Sequence, residues 1–199
     1  MTTSRTRRLA ADVVPSAVTQ TTLTYSSADL ERWKRKDRSL LRGCQPLVRR
    51  LLTAKADTRP GRRFFGEAYV LANEGTGESW YGSFKWLTSP KWSAPGPLAD
   101  DYQEAFRAAL QRHFRNLDTF QQEVRAAAEK TAGSLPVGPD LWLVTRRRHR
   151  FIEVKLPGDS LASHQLEGLQ LIERHLRAAD GRLVSVEVVT LSPREAIGS

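Results

Sequence analysis

The hydrophobic pattern of this chain changes period near residue 139, and that change sets its fold class. Upstream, apolar residues recur mainly at helical spacing. Downstream, "DLWLV" and "RFIEVKL" are apolar runs of strand length on either side of "TRRRHR", the pattern of two adjacent antiparallel strands joined by a basic turn. "PGD" breaks the second run. "SLASHQLEGLQLIERHLRAAD" then carries Leu161, Gln165, Leu169, Ile172 and Leu176 on one helical face, and "GRLVSVEVVTLS" supplies a last strand after Gly181. The expected order is β–β–α–β preceded by helices, an α/β chain with a sheet flanked by helices.

The upstream segments divide at their caps and breakers. "SSADLERWKRKDRSLLRG" predicts a helix opened by Ser26 and Asp29 at capping-box spacing and stopped at Gly43. "QPLVRRLLTA" starts a second helix with Pro46 in its first turn, and "DTRPG" reads as a turn or linker. A helix is expected over 62–73, while the aromatic alternation of "WYGSFKW" leaves 79–87 open between strand and helix. Two further helices, "DDYQEAFRAALQRHF" and "TFQQEVRAAAEKTA", follow a Pro/Ser-rich loop and are joined by "RNLD". Residues 1–25, rich in Thr, Ser and Arg, are expected to form a disordered basic arm. Residues 26–60 form a basic helical extension, and 61–199 one domain with a helical insertion around 76–136.

Charge is unevenly placed. The 199-residue chain carries a formal charge of +9, with 15 Lys/Arg against 5 Asp/Glu in residues 1–63 and near neutrality beyond. Such a basic third suits a nucleic-acid partner, the plain alternative being a solvated face. No apolar stretch has the length of a bilayer span, so no membrane partner is expected. The early arginines lack the apolar run of a secretory signal, although a mitochondrial-type presequence has a similar composition. The single cysteine, Cys44, cannot form an internal disulfide. The expected location is inside the cell, cytoplasmic or nucleoid-associated. The four histidines show neither triad nor metal spacing.

The chemistry concentrates in "FIEVKL". Side chains alternate across a strand, so Glu153 and Lys155 share one face while Ile152, Val154 and Leu156 share the other. Asp140 begins the preceding strand, and hairpin pairing can bring its carboxylate beside Glu153. Two converging carboxylates suit Mg²⁺, and a nearby lysine can hold a phosphate or serve a water, the equipment for hydrolysing a phosphodiester. An exposed cross-strand ion pair would give the same spacing.

"PDLWLV…FIEVKLPGDSLASHQ" resembles the PD-(D/E)xK nuclease superfamily, and within it the VRR-NUC domains, over about residues 137–191. The resemblance implies a restriction-endonuclease-like mixed sheet and a Mg²⁺- or Mn²⁺-dependent deoxyribonuclease acting on duplex or branched DNA. It implies Asp140 and Glu153 as metal ligands, Val154 as a ligand through its carbonyl, Lys155 serving the attacking water and Gln165 supporting the site. It matches Asp159 and Leu161 to a loop, where Asp159 reads as a helix N-cap. The family also uses a glutamate from an early helix. Glu67 is the choice here, because Phe64, Phe65, Tyr69 and Val70 around it suggest a half-buried setting, with Glu104 and Glu123 as alternatives. Expected phosphate contacts are Arg146, Arg147, Arg148 and Arg150 in the turn, with Arg62, Arg63 and Lys85 beside the early helix. Trp80, Trp86 and Trp92 are assigned to packing ahead of base stacking. A binding or scaffolding module without catalysis and an RNA-directed nuclease are the rival readings. A homodimer is compatible with the sequence, which identifies no protein partner.

Overall fold

The computed structural model describes residues 18–59, 61–75, 77–82, 85–88, 97–130 and 135–194. They form five strands and six α-helices in the order β1 (Thr19–Tyr25), α1 (Ser27–Lys34), α2 (Pro46–Thr58), α3 (Phe65–Glu74), β2 (Ser79–Tyr81), α4 (Pro97–His113), α5 (Leu117–Lys130), β3 (Leu141–Val144), β4 (Arg148–Lys155), α6 (Ser163–His175) and β5 (Leu183–Pro193). Short 3₁₀ turns occupy Ser39–Leu41 and Lys85–Leu87. The strands make one mixed sheet in the order β1-β5-β4-β3-β2. β2, β3 and β4 run antiparallel, whereas β5 joins β4 in parallel after the α6 crossover, and β1 joins β5 in parallel. Among the described residues no helix is long and apolar enough to cross a membrane.

The sheet centre is buried on both sides. Leu141, Trp142, Phe151, Ile152, Val186 and Val189 are fully enclosed, as expected where a strand has neighbours above and below. Trp142 and Phe151 stack at 5.8 Å with an interplanar angle of 8°, and Trp86 stacks on Phe151 at 5.9 Å. Trp80 is buried and stacks on Trp142. Two of the three expected packing tryptophans therefore sit in the core, and Trp92 lies outside the described residues.

Three expectations change. Thr19–Tyr25, assigned to the disordered arm, form edge strand β1, paired along its whole length with β5; residues 1–17 lie outside the described residues. Thr, Tyr and Leu suit strands, but only the free edge of β5 reveals the pairing. The 26–60 segment is no separate extension, because Trp33, Leu41, Val48 and Leu52 belong to the same buried core as the sheet. The helix expected through Gly43 ends at Lys34, and Lys36 turns into the left-handed region (φ 66°). Arg38 secures that turn, donating to the Trp33 carbonyl at 2.6 Å with its guanidinium 4.3 Å from the Trp33 ring centre. The third change narrows the helical insertion expected around 76–136: Ser79–Tyr81, left open between strand and helix, form β2 of the sheet and register Tyr81 against Leu141.

Candidate active site

Asp140, at the start of β3, and Lys155, at the end of β4, fall at one end of the sheet because those strands are antiparallel with Leu141 opposite Ile152. A cleft of about 580 Å³ opens there. It gathers Glu67 from α3, Asp140, Glu153, Val154 and Lys155 from the hairpin, and Gln165 from α6. Asp140 also fixes the hairpin: its Oδ2 accepts the Val154 N–H at 2.9 Å. The continuous apolar character of β4 buries even the polar members, Glu153 being 2% exposed and Lys155 8%.

A buried lysine and glutamate need partners. Lys155 Nζ donates to Glu153 Oε1 at 2.8 Å and to Gln165 Oε1 at 2.9 Å. The Gln165 amide returns a hydrogen bond to Glu153 Oε1 at 2.5 Å, while Gln165 Oε1 also accepts the Ala162 N–H at 3.0 Å. Gln165 thereby ties the first turn of α6 to both charged groups of β4. Asp159 does not cap α6, whose N-cap is Ala162. Instead, Asp159 Oδ2 closes the turn after β4 by accepting the Leu156 N–H at 3.0 Å.

Three carboxyl groups, those of Glu67, Asp140 and Glu153, share this cleft with Lys155. Burial, reinforced by the nearby Asp140 carboxylate, pushes the Glu67 carboxyl up to about 8, with Lys155 opposing. Burial and Asp140, which lies in hydrogen-bond contact, push Glu153 up to about 8 as well, again against Lys155. Neighbouring carboxylates that cannot all ionise together can take up either protons or a cation. Their donors are hard oxygens without a thiolate among them, which suits Mg²⁺ or Mn²⁺. Glu104 and Glu123, the alternatives to Glu67, do not line this cleft. Glu104 is exposed on α4, and Glu123 lies 3.3 Å from His175.

The expected phosphate contacts separate. Arg62 and Arg63 line the cleft, joined by Lys55 and Arg59, which the sequence reading did not single out. Arg62 donates to the Pro157 carbonyl at 3.3 Å and lies 3.5 Å from Asp159. Arg146, Arg147 and Arg148 are exposed, but their turn precedes β4. They stand at the other end of the sheet, about 23 Å from Lys155 at strand rise, and do not flank the acidic groups. Arg150 leaves the cluster altogether. Its guanidinium reaches Glu187 at 2.7 and 2.9 Å and Glu74 at 2.9 Å, and these carboxylates hold its charge firmly. The Lys85 side chain lies outside the described residues.

At that far end a second polar cluster joins His113, His149 and Asp180 within 4.8 Å. No spacing in the sequence signals it, because α4, β4 and the loop before β5 each contribute one member. The Trp142 indole, a donor only, points at His149 Nδ1 at 3.3 Å. The imidazole proton therefore belongs on Nε2, which faces both Asp180 oxygens at 3.3 Å. His113 Nε2 meets Glu78 at 2.9 Å. With an N–H rather than a lone pair aimed at Asp180, the trio works as a hydrogen-bonded clasp between elements. Comparison of the chain with protein-family models, curated proteins and solved structures returns no match.

Proposed function

We propose that the protein is a metal-dependent nuclease that hydrolyses phosphodiester bonds in DNA, with a PD-(D/E)xK, restriction-endonuclease-like core of the VRR-NUC kind. The observation that carries this reading is the convergence of Glu67, Asp140 and Glu153, from three separate elements, beside Lys155, with both glutamates held away from ionisation by burial and by Asp140. Such crowding costs stability as the carboxyls ionise, unless protons or a cation relieve it.

Glu67, Asp140, Glu153 and the Val154 carbonyl would hold Mg²⁺ or Mn²⁺, which when bound supplies Lewis-acid polarisation of the scissile phosphate. Lys155 presents its ammonium to the cleft, where it orients the attacking water and offsets charge developing on the phosphate oxygens. Gln165 keeps the lysine in place through its 2.9 Å hydrogen bond and limits Glu153 to one orientation. Arg62 and Arg63 draw the backbone of the nucleic acid to the rim. Phosphoryl transfer depends chiefly on positioning and charge stabilisation, so this small set suffices.

The test incubates supercoiled plasmid and branched oligonucleotides with the protein in Mg²⁺, Mn²⁺ or EDTA, beside Lys155→Ala and Glu153→Gln variants. Cleavage with either metal, abolished by EDTA and by both substitutions, is expected. Intact DNA binding with no cleavage under any metal would leave a binding module in place of an enzyme. Preferential cleavage of a matched RNA would move the substrate from DNA to RNA.

A further inference from the structure

The far end of the sheet, away from the cleft, gathers positive charge from separate parts of the chain. The turn between β3 and β4 exposes Arg146, Arg147 and Arg148. A cavity of about 480 Å³ opens nearby, lined by Arg115 from the α4–α5 connection, Arg177 after α6 and Arg182 before β5. The turn and the cavity adjoin. Arg148 registers against Leu183, and the Leu183 N–H donates to the Arg147 carbonyl at 3.2 Å, while Leu183 itself lines the cavity.

The turn is held by its backbone and by Thr145, not by its arginines. Thr145 Oγ1 accepts the Arg148 N–H at 3.1 Å and donates to the Arg148 carbonyl at 2.9 Å, and the Thr145 N–H reaches the same carbonyl at 2.9 Å. Among the described residues the guanidinium groups of Arg146, Arg147 and Arg148 make no hydrogen bond or ion pair. In the cavity, Arg115 Nε and Nη2 donate to the Ala178 carbonyl at 3.2 and 2.9 Å, and Arg177 Nη1 donates to the Leu176 carbonyl at 3.1 Å. Neutral acceptors aim a guanidinium without cancelling its charge, and each group keeps further N–H donors. Arg182 is paired with Asp180 at 3.1 Å. Among the described residues lining the cavity, Glu173 alone carries a carboxylate. Aimed guanidinium forks with spare donors suit phosphate oxygens. Leu183 is 68% exposed, but a single apolar side chain gives little area for insertion into a bilayer. A protruding turn beside a concave wall fits a backbone that repeats its phosphates at short, regular intervals.

We propose that the turn before β4 and the cavity beside it form a second nucleic-acid surface, which grips backbone phosphates remote from the bond being cut. Arg147 and Arg148 supply the protruding contacts, and Arg115 and Arg177 the concave ones. Arg148 and Lys155 stand at opposite ends of β4, about 23 Å apart at strand rise. That distance matches the rise of about seven nucleotides along one strand of a duplex. The choice of nucleic acid over another polyanion rests on the nuclease reading; the surface itself does not.

The test is fluorescence anisotropy of a labelled duplex oligonucleotide with the full chain in EDTA, repeated over a range of salt. The unsubstituted protein is compared with an Arg147→Gln/Arg148→Gln double variant and with Arg147→Lys/Arg148→Lys. Each lost phosphate contact reduces the slope of log affinity against log salt by about 0.9 on duplex DNA, so the glutamine pair is expected to weaken binding and flatten the slope by about 1.8. The lysine pair keeps the charge and is expected to keep the slope. In cleavage assays the glutamine pair raises KM and leaves kcat near its original value, which a fold defect would not do. A glutamine-pair slope equal to that of the unsubstituted protein overturns the surface while cleavage stands. Binding of a polyglutamate peptide or of vesicles carrying anionic lipid that falls with the glutamine pair, while duplex binding does not, overturns it in favour of that partner. A flattened slope without metal-dependent cleavage supports the surface and removes the nuclease reading. Absence of duplex binding by the unsubstituted protein removes both.

Discussion

Gly66 lies so close to Val154 that a Cβ on the glycine would stand 2.9 Å from Val154 Cγ1. This contact seats α3 on β4 and delivers the next residue, Glu67, to the cleft that holds Asp140 and Glu153. Val154 is short, branched and buried, so it has little freedom to withdraw. Gly66→Ala is therefore expected to destabilise the fold by about 1–3 kcal/mol, as overpacking does, in spite of alanine's better helix propensity. Urea denaturation measures it, and an unchanged or raised midpoint would show that α3 can shift freely.

The raised carboxyls fix the sign of a pH dependence. Glu67 and Glu153 ionise near 4.5 when unfolded but near 8 in the folded, metal-free protein. Between those values the folded state binds more protons, so their contribution is complete below about 4.5 and is lost as pH rises toward about 8. Tm in EDTA is expected to fall across this window, and to fall less in Glu67→Gln. Mg²⁺ or Mn²⁺ should raise Tm more at pH 8 than at pH 6, because at pH 6 protons compete for the same oxygens. Equal metal-induced shifts at both pH values would count against a carboxylate site.

Gln165 touches both charged groups of β4, and its loss should loosen them together. Gln165→Leu is expected to lower metal affinity or activity about 10–100-fold, the range seen when partners of a ligand are removed. A pH–rate profile separates positioning from general damage: releasing Lys155 and Glu153 moves the profile, whereas a smaller amount of folded enzyme only scales it.

Arg150 and the turn arginines should respond oppositely to truncation. The Arg150 guanidinium and the Glu187 carboxylate are 17% and 7% exposed, so Arg150→Ala strands a buried charge and is expected to cost about 3–5 kcal/mol. Arg147 is exposed, and Arg147→Ala should change stability by less than about 0.5 kcal/mol. Thermal denaturation of the two variants makes the comparison.

Elements with local signals were legible in the residues themselves. The two apolar runs around "TRRRHR" form the antiparallel pair β3–β4, Pro46 opens α2, and the Leu169–Ile172–Leu176 stripe buries α6 against the sheet. The place of Glu153 and Lys155 on one strand was legible too, because strand periodicity needs only a few residues of context.

Which of these signals meet depends on how the elements pack. Edge strand β1 exists because β5 offers it a partner, and the tract around Trp33 joins the core because the sheet leaves room for it. Arg146–Arg148 and Arg62–Arg63 look alike in the sequence, yet one set lies beyond the far end of β4 and the other lines the cleft. Lys55, on α2, meets the rings of the left-handed Phe64 before α3 and of Tyr81 on β2. The physical reason is common to all of them: periodicity records which face a side chain occupies, but not the end of the sheet it reaches or the neighbour that folding brings to it.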